Sequence, residues 1–175
     1  MNNLTLNFIR LIHSIISSIL SYLYLNYRNE NIKNLFFLIS NIYFFLDIFT
    51  LSDKLDKIHH IISNFTLLLI ILEYYDNLLI ELFYYAELSN IFIFLNYHII
   101  KTVENRHFLL LSYFFELIIY TYCRVYKFTY IFIFYFDTII YSPLIILVLI
   151  YFMSIDWAYT LFNNFIQLCK IYYHT

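Results

Sequence analysis

The chain has 175 residues and a formal net charge of −2, with 63% hydrophobic, 23% aromatic and only 13% charged residues and a mean hydropathy of +0.73. A water-soluble domain of this length does not carry so large an apolar load, so the class implied is an integral membrane protein. The charge balance supplies no basic surface, which removes nucleic acid as a partner.

Zero Gly and one Pro stand against twenty Phe and twenty Tyr. Phe, Tyr, Ile and Asn have A/T-rich codons, so the skew points to a very AT-rich genome and says nothing about fold. A prion-like composition is excluded because the Asn and Tyr residues sit inside long Ile/Leu/Phe runs.

Polar punctuation cuts the chain into apolar runs at residues 4–25, 35–51, 58–72, 78–97, 108–122 and 128 to about 165. A spanning helix needs about 20 residues, range 17–25. The expected fold is therefore all-α: a multi-pass transmembrane helix bundle of about six helices, five or seven being the alternatives, in a single domain over residues 4–173. The first run lacks a basic leader and a small-residue cleavage site, so it is expected to stay as the first pass. The third run is short, which puts His59 and His60 inside a helix near one interface. The last run holds either one long tilted helix or two passes, and Pro143 within it marks a kink or a break.

The connectors at 26–34, 52–57, 73–77, 98–107 and 124–127 are short and charged, leaving no room for a soluble domain. Any function must then lie in the bundle or at its mouths. The Lys and Arg bias between the two sides is too slight to set orientation. Arg124 and Lys127, at a span end, are expected to snorkel to the interface. Trp157 and the tyrosines suit an aromatic belt. Glu116, two turns before Arg124, is a candidate partner for it. Cys123 and Cys169 are expected to be inert packing residues. The sequon Asn64-Phe65-Thr66 lies in a span and is expected to be silent.

The polar residues inside the apolar runs carry the chemistry. Ionisable groups at membrane depth cost roughly 2.5–3.5 kcal/mol each on insertion scales, so they mark function. Asp56-Lys57-Ile58-His59-His60 opens the third run, and Ala86-Glu87-Leu88-Ser89-Asn90 interrupts the fourth. Adjacent histidines point about 100° apart on a helix, so the pair cannot clamp a metal as an i, i+4 pair does. A di-iron site needs about eight histidines, and this chain has six. No metal is expected.

General acid/base work fits better. Asp56 lies three and four residues before the pair, where a carboxylate can fix one imidazole tautomer and raise its basicity. Ser63 follows one turn later. Glu87, Asn90, Phe94 and His98 form one stripe that belongs towards the bundle interior. The alternative is purely structural: interfacial histidines and interhelical hydrogen bonds of about 0.6 kcal/mol each.

These features resemble the TLC-domain (TRAM, Lag, CLN) family. Asn7-Phe8-Ile9-Arg10-Leu11-Ile12-His13-Ser14 is similar to the first pass of that family. Residues 53–62 resemble its aspartate and histidine pair. Ala86-Glu87-Leu88-Ser89-Asn90 resembles the AELS segment of its small non-ceramide-synthase branch, and Asp156-Trp157 its terminal tryptophan helix. The aspartate, serine, aspartate pattern of ceramide synthases reads Glu87, Ser89 and Asn90 here, and Phe94 and Tyr97 stand where their later glutamate and lysine would align.

The resemblance implies a protein of membrane lipid homeostasis in the endoplasmic reticulum or another endomembrane, with membrane lipids as partners and self-association left open. On this basis Asp53, Ser63, Glu87, Ser89, Asn90 and His98 are the expected lipid-binding residues. The alternative it implies is an N- or O-acyltransferase without a bound cofactor. That enzyme would take acyl-CoA as co-substrate and use His59, His60 and Asp56 in catalysis. A membrane scaffold without a lipid site is the remaining alternative.

Overall fold

The computed structural model describes residues 3–140 and 143–173. It is all-α. The helices in chain order are α1 (Asn3–Tyr27), α2 (Glu30–Asp47), α3 (Lys54–Ile71), α4 (Asp76–Thr102), α5 (Arg106–Tyr120), α6 (Phe128–Phe134), α7 (Phe136–Ile140) and α8 (Leu147–Tyr173). A π-helical segment, Thr121–Lys127, joins α5 to α6 without a break, so these form one rod. Among the described residues these make six long rods, with α7 as a short connector. Among the described residues, four helical stretches are long and apolar enough to cross a membrane: Leu4–Tyr27, Asp76–Thr102, Arg106–Phe134 and Pro143–Ile171. Each of α2 and α3 has 18 residues, at the short end of the spanning range.

The helix starts follow from local chemistry. Asn29 caps α2 by accepting from Asn31 N, Asp53 caps α3 by accepting from Leu55 N at 2.7 Å, and Asn105 caps α5 by accepting from Phe108 N at 3.1 Å. With no glycine in the chain, other residues take the left-handed turns. Arg28, Glu73 and Tyr75 sit at φ 52°, 56° and 53°, a conformation costing roughly 1–2 kcal/mol per residue.

The expected connector at 124–127 is not one. The rod runs straight through it, and the long last run breaks instead near Tyr135, where α6 ends. Pro143 then opens the 3₁₀ turn Pro143–Ile146 that feeds α8, a position where its missing N–H is harmless. Residues 141 and 142, within that run, lie outside the described residues.

The bundle is apolar outside, and its interior combines an apolar core with a set of buried polar side chains. Phe8, Ile19, Phe45, Leu68, Phe115 and Phe152 are exposed, while His13, Asp47, Glu87, Asn96, Glu116 and Arg124 are buried. Such an exposed apolar surface suits hydrocarbon, whereas the second set must find partners within. α4 lies against α1, α3 and α5, and its most extensive contact is with α1. Serines make that closeness tolerable. Ser14, Ser17, Ser18 and Ser21 of α1 are buried, and the Ser17 and Ser40 hydroxyls meet at 2.9 Å across α1 and α2. Small residues do in this chain what glycine does in other membrane helices. Hydroxyls facing apolar surroundings bond back one turn, as Ser21 to Ser17 O, Thr66 to Ile62 O and Ser154 to Ile150 O.

One end of the bundle is tied by ions. Lys33 is only 3% exposed, and its Nζ reaches Glu30 Oε2 at 2.6 Å and Asp76 Oδ2 at 3.5 Å. Tyr24 donates to the same Asp76 carboxylate at 2.7 Å. Burial works against the Lys33 charge, but these carboxylates outweigh it and hold its pKa above the ordinary lysine value.

Ser17→Leu should separate α1 from α2. The expected loss is about 1–3 kcal/mol from overpacking, read as a lower thermal midpoint in detergent, whereas Ser17→Ala should cost about 1 kcal/mol or less.

Candidate functional site

Helices α1 to α6, the π segment and α8 all contribute to a two-chambered cavity. The outer chamber, about 310 Å³, is lined by Arg10, Asp47, Asp56, His60, Asn90 and Trp157 among others. The inner chamber is narrow, about 30 Å³, and is walled by Leu82, Phe83, Phe128, Phe132, Leu147 and Ile150, with Ser63, Thr66 and Glu87 as polar residues. Phe44, His59 and Arg124 line both and mark the junction.

The rim of the outer chamber is an ion pair that the sequence concealed. Arg10 of α1 donates to Asp47 of α2 from Nε at 3.1 Å and from Nη2 at 3.0 Å. Tyr43 adds a hydrogen bond to Asp47 at 3.2 Å, and Thr50 Oγ1 bonds it closely. His60 Nδ1 stands 3.8 Å from Asp47 Oδ2. The carboxylate facing the histidine pair is therefore Asp47. Asp56 makes no hydrogen bond to either histidine. It lies at the rim, where burial first and then Asp53 and Asp47 raise its pKa above the usual aspartate value. Spacing along one helix suggested Asp56, but the partner comes from the neighbouring helix one layer away.

The histidine rings are held by aromatics. His60 meets Phe44 edge-on at 5.0 Å, and His59 meets Trp157 edge-on at 5.4 Å. Trp157 is thus part of the chamber wall. Adjacent in sequence, the two rings lie 5.6 Å apart and both face the outer chamber. Their Nδ1 atoms are buried without hydrogen-bond partners.

Beneath them runs a polar relay. Glu87, 2% exposed, accepts from Asn90 Nδ2 at 3.3 Å and lies 3.8 Å from His13 Nδ1. His13 stacks on Tyr43 at 3.6 Å between ring centroids. Asn90 Oδ1 accepts from Arg124 Nη2 at 3.1 Å, the same nitrogen donates to Ala86 O at 3.2 Å, and Arg124 Nε donates to Ser89 Oγ at 3.0 Å. The Ala86–Asn90 segment is thereby the seat of Arg124. Arg124, expected to snorkel, is 1% exposed at the centre of the bundle. The π turn places it there, and π segments often mark functional positions because the extra residue re-aims side chains.

Of the expected lipid-binding residues, Ser63, Glu87 and Asn90 line the cavity, and Ser89 supports Arg124. Asp53 is an exposed helix cap, and His98 packs edge-on to Phe8 and Tyr97 away from both chambers. Glu116 is held by Asn96, not Arg124, and Ser112 extends that pair. Asn64 of the sequon accepts from Asn41 of α2 inside the bundle. Cys123 and Cys169 are free thiols. Among the described residues, no group of three His, Cys, Asp or Glu side chains gathers to hold a metal.

Sequence reasoning missed Arg10, Asp47 and Arg124. Arg10 and His13 at i, i+3, and Tyr43 and Asp47 at i, i+4, were legible polar faces. Arg124 would have stood out had residues 106–134 been taken as one helix.

No protein-family model matches the chain, and no curated protein and no solved structure matches it.

Asp47→Ala should leave Arg10 partly buried and unpaired at the rim, costing about 3–5 kcal/mol. In a double-mutant cycle read by thermal unfolding, Arg10→Ala combined with Asp47→Ala should cost less than the sum of the two.

Proposed function

We propose that this chain is a multi-pass membrane protein of the TLC-like kind that binds a lipid and acts in membrane lipid homeostasis. The carrying observation is the cavity itself: a chamber with Arg10, Asp47, His60 and Asn90 among its lining, continued past His59 and Arg124 by a narrow, mainly apolar one. Ligand sites are typically apolar clefts of about 300–1,000 Å³ with a few convergent polar groups, and the outer chamber, at about 310 Å³, falls at the lower end of that range. The inward His59, His60, Glu87 and Asn90 also speak against a scaffold without a lipid site, since structural histidines have no reason to share one cavity. The resemblance of Asp53–His60, Ala86–Asn90 and Asp156-Trp157 to TLC proteins supports the same reading. An endoplasmic-reticulum or other endomembrane location goes with it.

A second reading is favoured by one observation. His60 has a carboxylate at 3.8 Å, and the neighbouring His59 Nδ1 is buried and unpartnered at the junction. Asp47 can orient His60 as a general base on the hydroxyl or amine of an acceptor lipid, with acyl-CoA as the acyl donor. Acyl transfer then attaches the acyl carbonyl to the acceptor oxygen or nitrogen, releases the CoA thiol and moves the acceptor proton through the histidine.

The test is purification of the full chain, mass spectrometry of its bound lipids, and a turnover assay with acyl-CoA and a mixed lipid acceptor pool. The expected result is a co-purifying lipid, reduced in His59→Ala and Phe83→Trp proteins that still insert in membranes, without turnover. Turnover lost in His60→Ala would establish the acyltransferase reading in its place. A preparation free of lipid and of turnover would overturn both.

A further inference from the structure

Two charges of opposite sign line the outer chamber without a counter-charge. The first is Arg124, 1% exposed at the junction with the inner chamber. Its Nε and Nη2 donate to Ser89, Ala86 and Asn90, all neutral acceptors, and its buried Nη1 has no partner. Glu87 is engaged by Asn90 and His13, and among the described residues no carboxylate pairs with the guanidinium. The Tyr120 and Phe128 rings at 5.9 and 5.7 Å supply only cation–π contact. The second is Asp56 at the rim, one helical turn before His59 on α3, or about 5 Å along the axis. Its carboxylate enters no hydrogen bond or ion pair among the described residues, and burial and the nearby Asp53 work against its charge. Buried charges of this kind are costly unless paired, and an unsatisfied donor adds to that cost.

The other charges of the chamber cancel. Arg10 holds Asp47 from two nitrogens, and Tyr43 and Thr50 take up more of that carboxylate, so Asp47 is closed to a ligand. Between Arg124 and Asp56 stands His59, whose buried Nδ1 also lacks a partner. Phe44, Phe94, Tyr120 and Trp157 wall the space. Aromatic faces accept an ammonium as readily as a short alkyl spacer. Size restricts the occupant further. The outer chamber of about 310 Å³ takes a small polar group. The inner chamber of about 30 Å³ admits only a water or two, at roughly 10–15 Å³ each, so no acyl tail enters it. A simple anion would satisfy Arg124 and leave Asp56 unpaired. A group that is neutral overall, anionic inward and cationic outward, satisfies both.

Resting on the lipid-binding reading, we infer that the outer chamber holds a zwitterionic head, an oxyanion joined by a short spacer to an ammonium, with the oxyanion on Arg124 and the ammonium on Asp56. A phosphoethanolamine group has this form, whether carried by a membrane lipid or free in solution. Arg124 Nη1 donates to one oxyanion oxygen, and His59 donates from Nδ1 in the tautomer protonated there. Charge-assisted hydrogen bonds of this type are about twice as strong as neutral ones. A lipid bearing the head keeps its acyl chains outside the bundle, in the bilayer. The π segment has a role in this site: it holds the guanidinium at the junction while α5 and α6 continue on either side of it.

The full chain in maltoside micelles supplies its own reporter, because Trp157 is the single tryptophan and packs on His59. Glycerophosphoethanolamine, glycerol 3-phosphate and ethanolamine are titrated separately, following Trp157 fluorescence, with calorimetry as a direct check. The zwitterion should bind, with each half, lacking one charge, weaker by about tenfold or more. Arg124→Gln should weaken the zwitterion by about tenfold or more and leave ethanolamine unchanged, and Arg124→Lys should recover part of the loss. Asp56→Asn removes a charge that has no partner in the bundle, so it tests the inference even if the Arg124 variants fail to fold. It should weaken the zwitterion by a similar factor and leave glycerol 3-phosphate no weaker. Glycerol 3-phosphate binding as tightly as the zwitterion overturns the inference, as does zwitterion binding indifferent to Asp56→Asn. Lysophosphatidylethanolamine, compared with lysophosphatidate, identifies the source. If it binds and lysophosphatidate is weaker, the head is lipid-borne and both readings stand. If only the free zwitterion binds, the inference stands and the lipid reading fails. If neither zwitterion binds but a lipid with another head co-purifies, the inference fails and the lipid reading stands. If nothing binds, both fail.

Discussion

A guanidinium cannot face hydrocarbon, and in this chain it does not reach water either. Arg124 sits at 1% exposure where α4, α8 and the α5–α6 rod meet, and the surrounding architecture answers that constraint. Ser89 and Asn90 turn inward to accept from it, Ala86 lends a carbonyl, and Asn90 passes the polarity on to Glu87 and His13. A helix lacking these acceptors could not pack here, because each unmet donor in a low-dielectric interior costs about 1–3 kcal/mol. The relay therefore selects which faces of α1, α4 and the fifth rod come together.

The same constraint produces the cavity. Polar groups gathered at the centre cannot be packed like alkyl chains, and aromatic residues hold their planes apart. Phe44, Trp157 and Tyr43 keep the histidine and arginine side chains open towards a chamber. Lower down the wall is mainly apolar, interrupted by Ser63, Thr66 and Glu87. Arg10 and Asp47 close the rim by neutralising each other across α1 and α2, much as Lys33 and Asp76 tie α2 to α4 elsewhere in the bundle. The absence of glycine shapes both features: serines bring the helices close, and Arg28, Glu73 and Tyr75 accept left-handed turns.

Much of the fold was legible in one dimension. The apolar runs at 4–25, 35–51, 58–72 and 78–97 each fall on one helix from α1 to α4, because polar residues and helix caps coincide there. Asn29, Asp53 and Asn105 mark helix starts as their side-chain chemistry requires. The error came at 124–127, where Arg124 and Lys127 looked like loop charges. A π turn buried one of them in a continuous rod, and no local pattern announces that. The candidate site was legible as two polar clusters, one on α3 and one on α4: His59, His60, Ser63, Glu87 and Asn90 all reach the cavity. Asp56 and His98 were assigned roles by spacing alone, and those roles need neighbours on other helices.

Composition and periodicity by themselves determined an apolar, all-α chain with rare polar residues inside its helices, because hydrocarbon forbids unpaired backbone and tolerates few charges. They also marked the histidine pair and the Ala86–Asn90 segment as unusual. Only the tertiary structure decided the partners: Asp47 for His60, Asn90 and Ser89 for Arg124, Trp157 for His59. Each of those contacts joins residues at least thirty positions apart, as Arg124 and Asn90 are at 34, except His60 and Asp47, which face each other across a helix turn-around. Their meeting depends on helix rotation and crossing, which hydrophobic runs that are apolar on nearly every face leave undetermined.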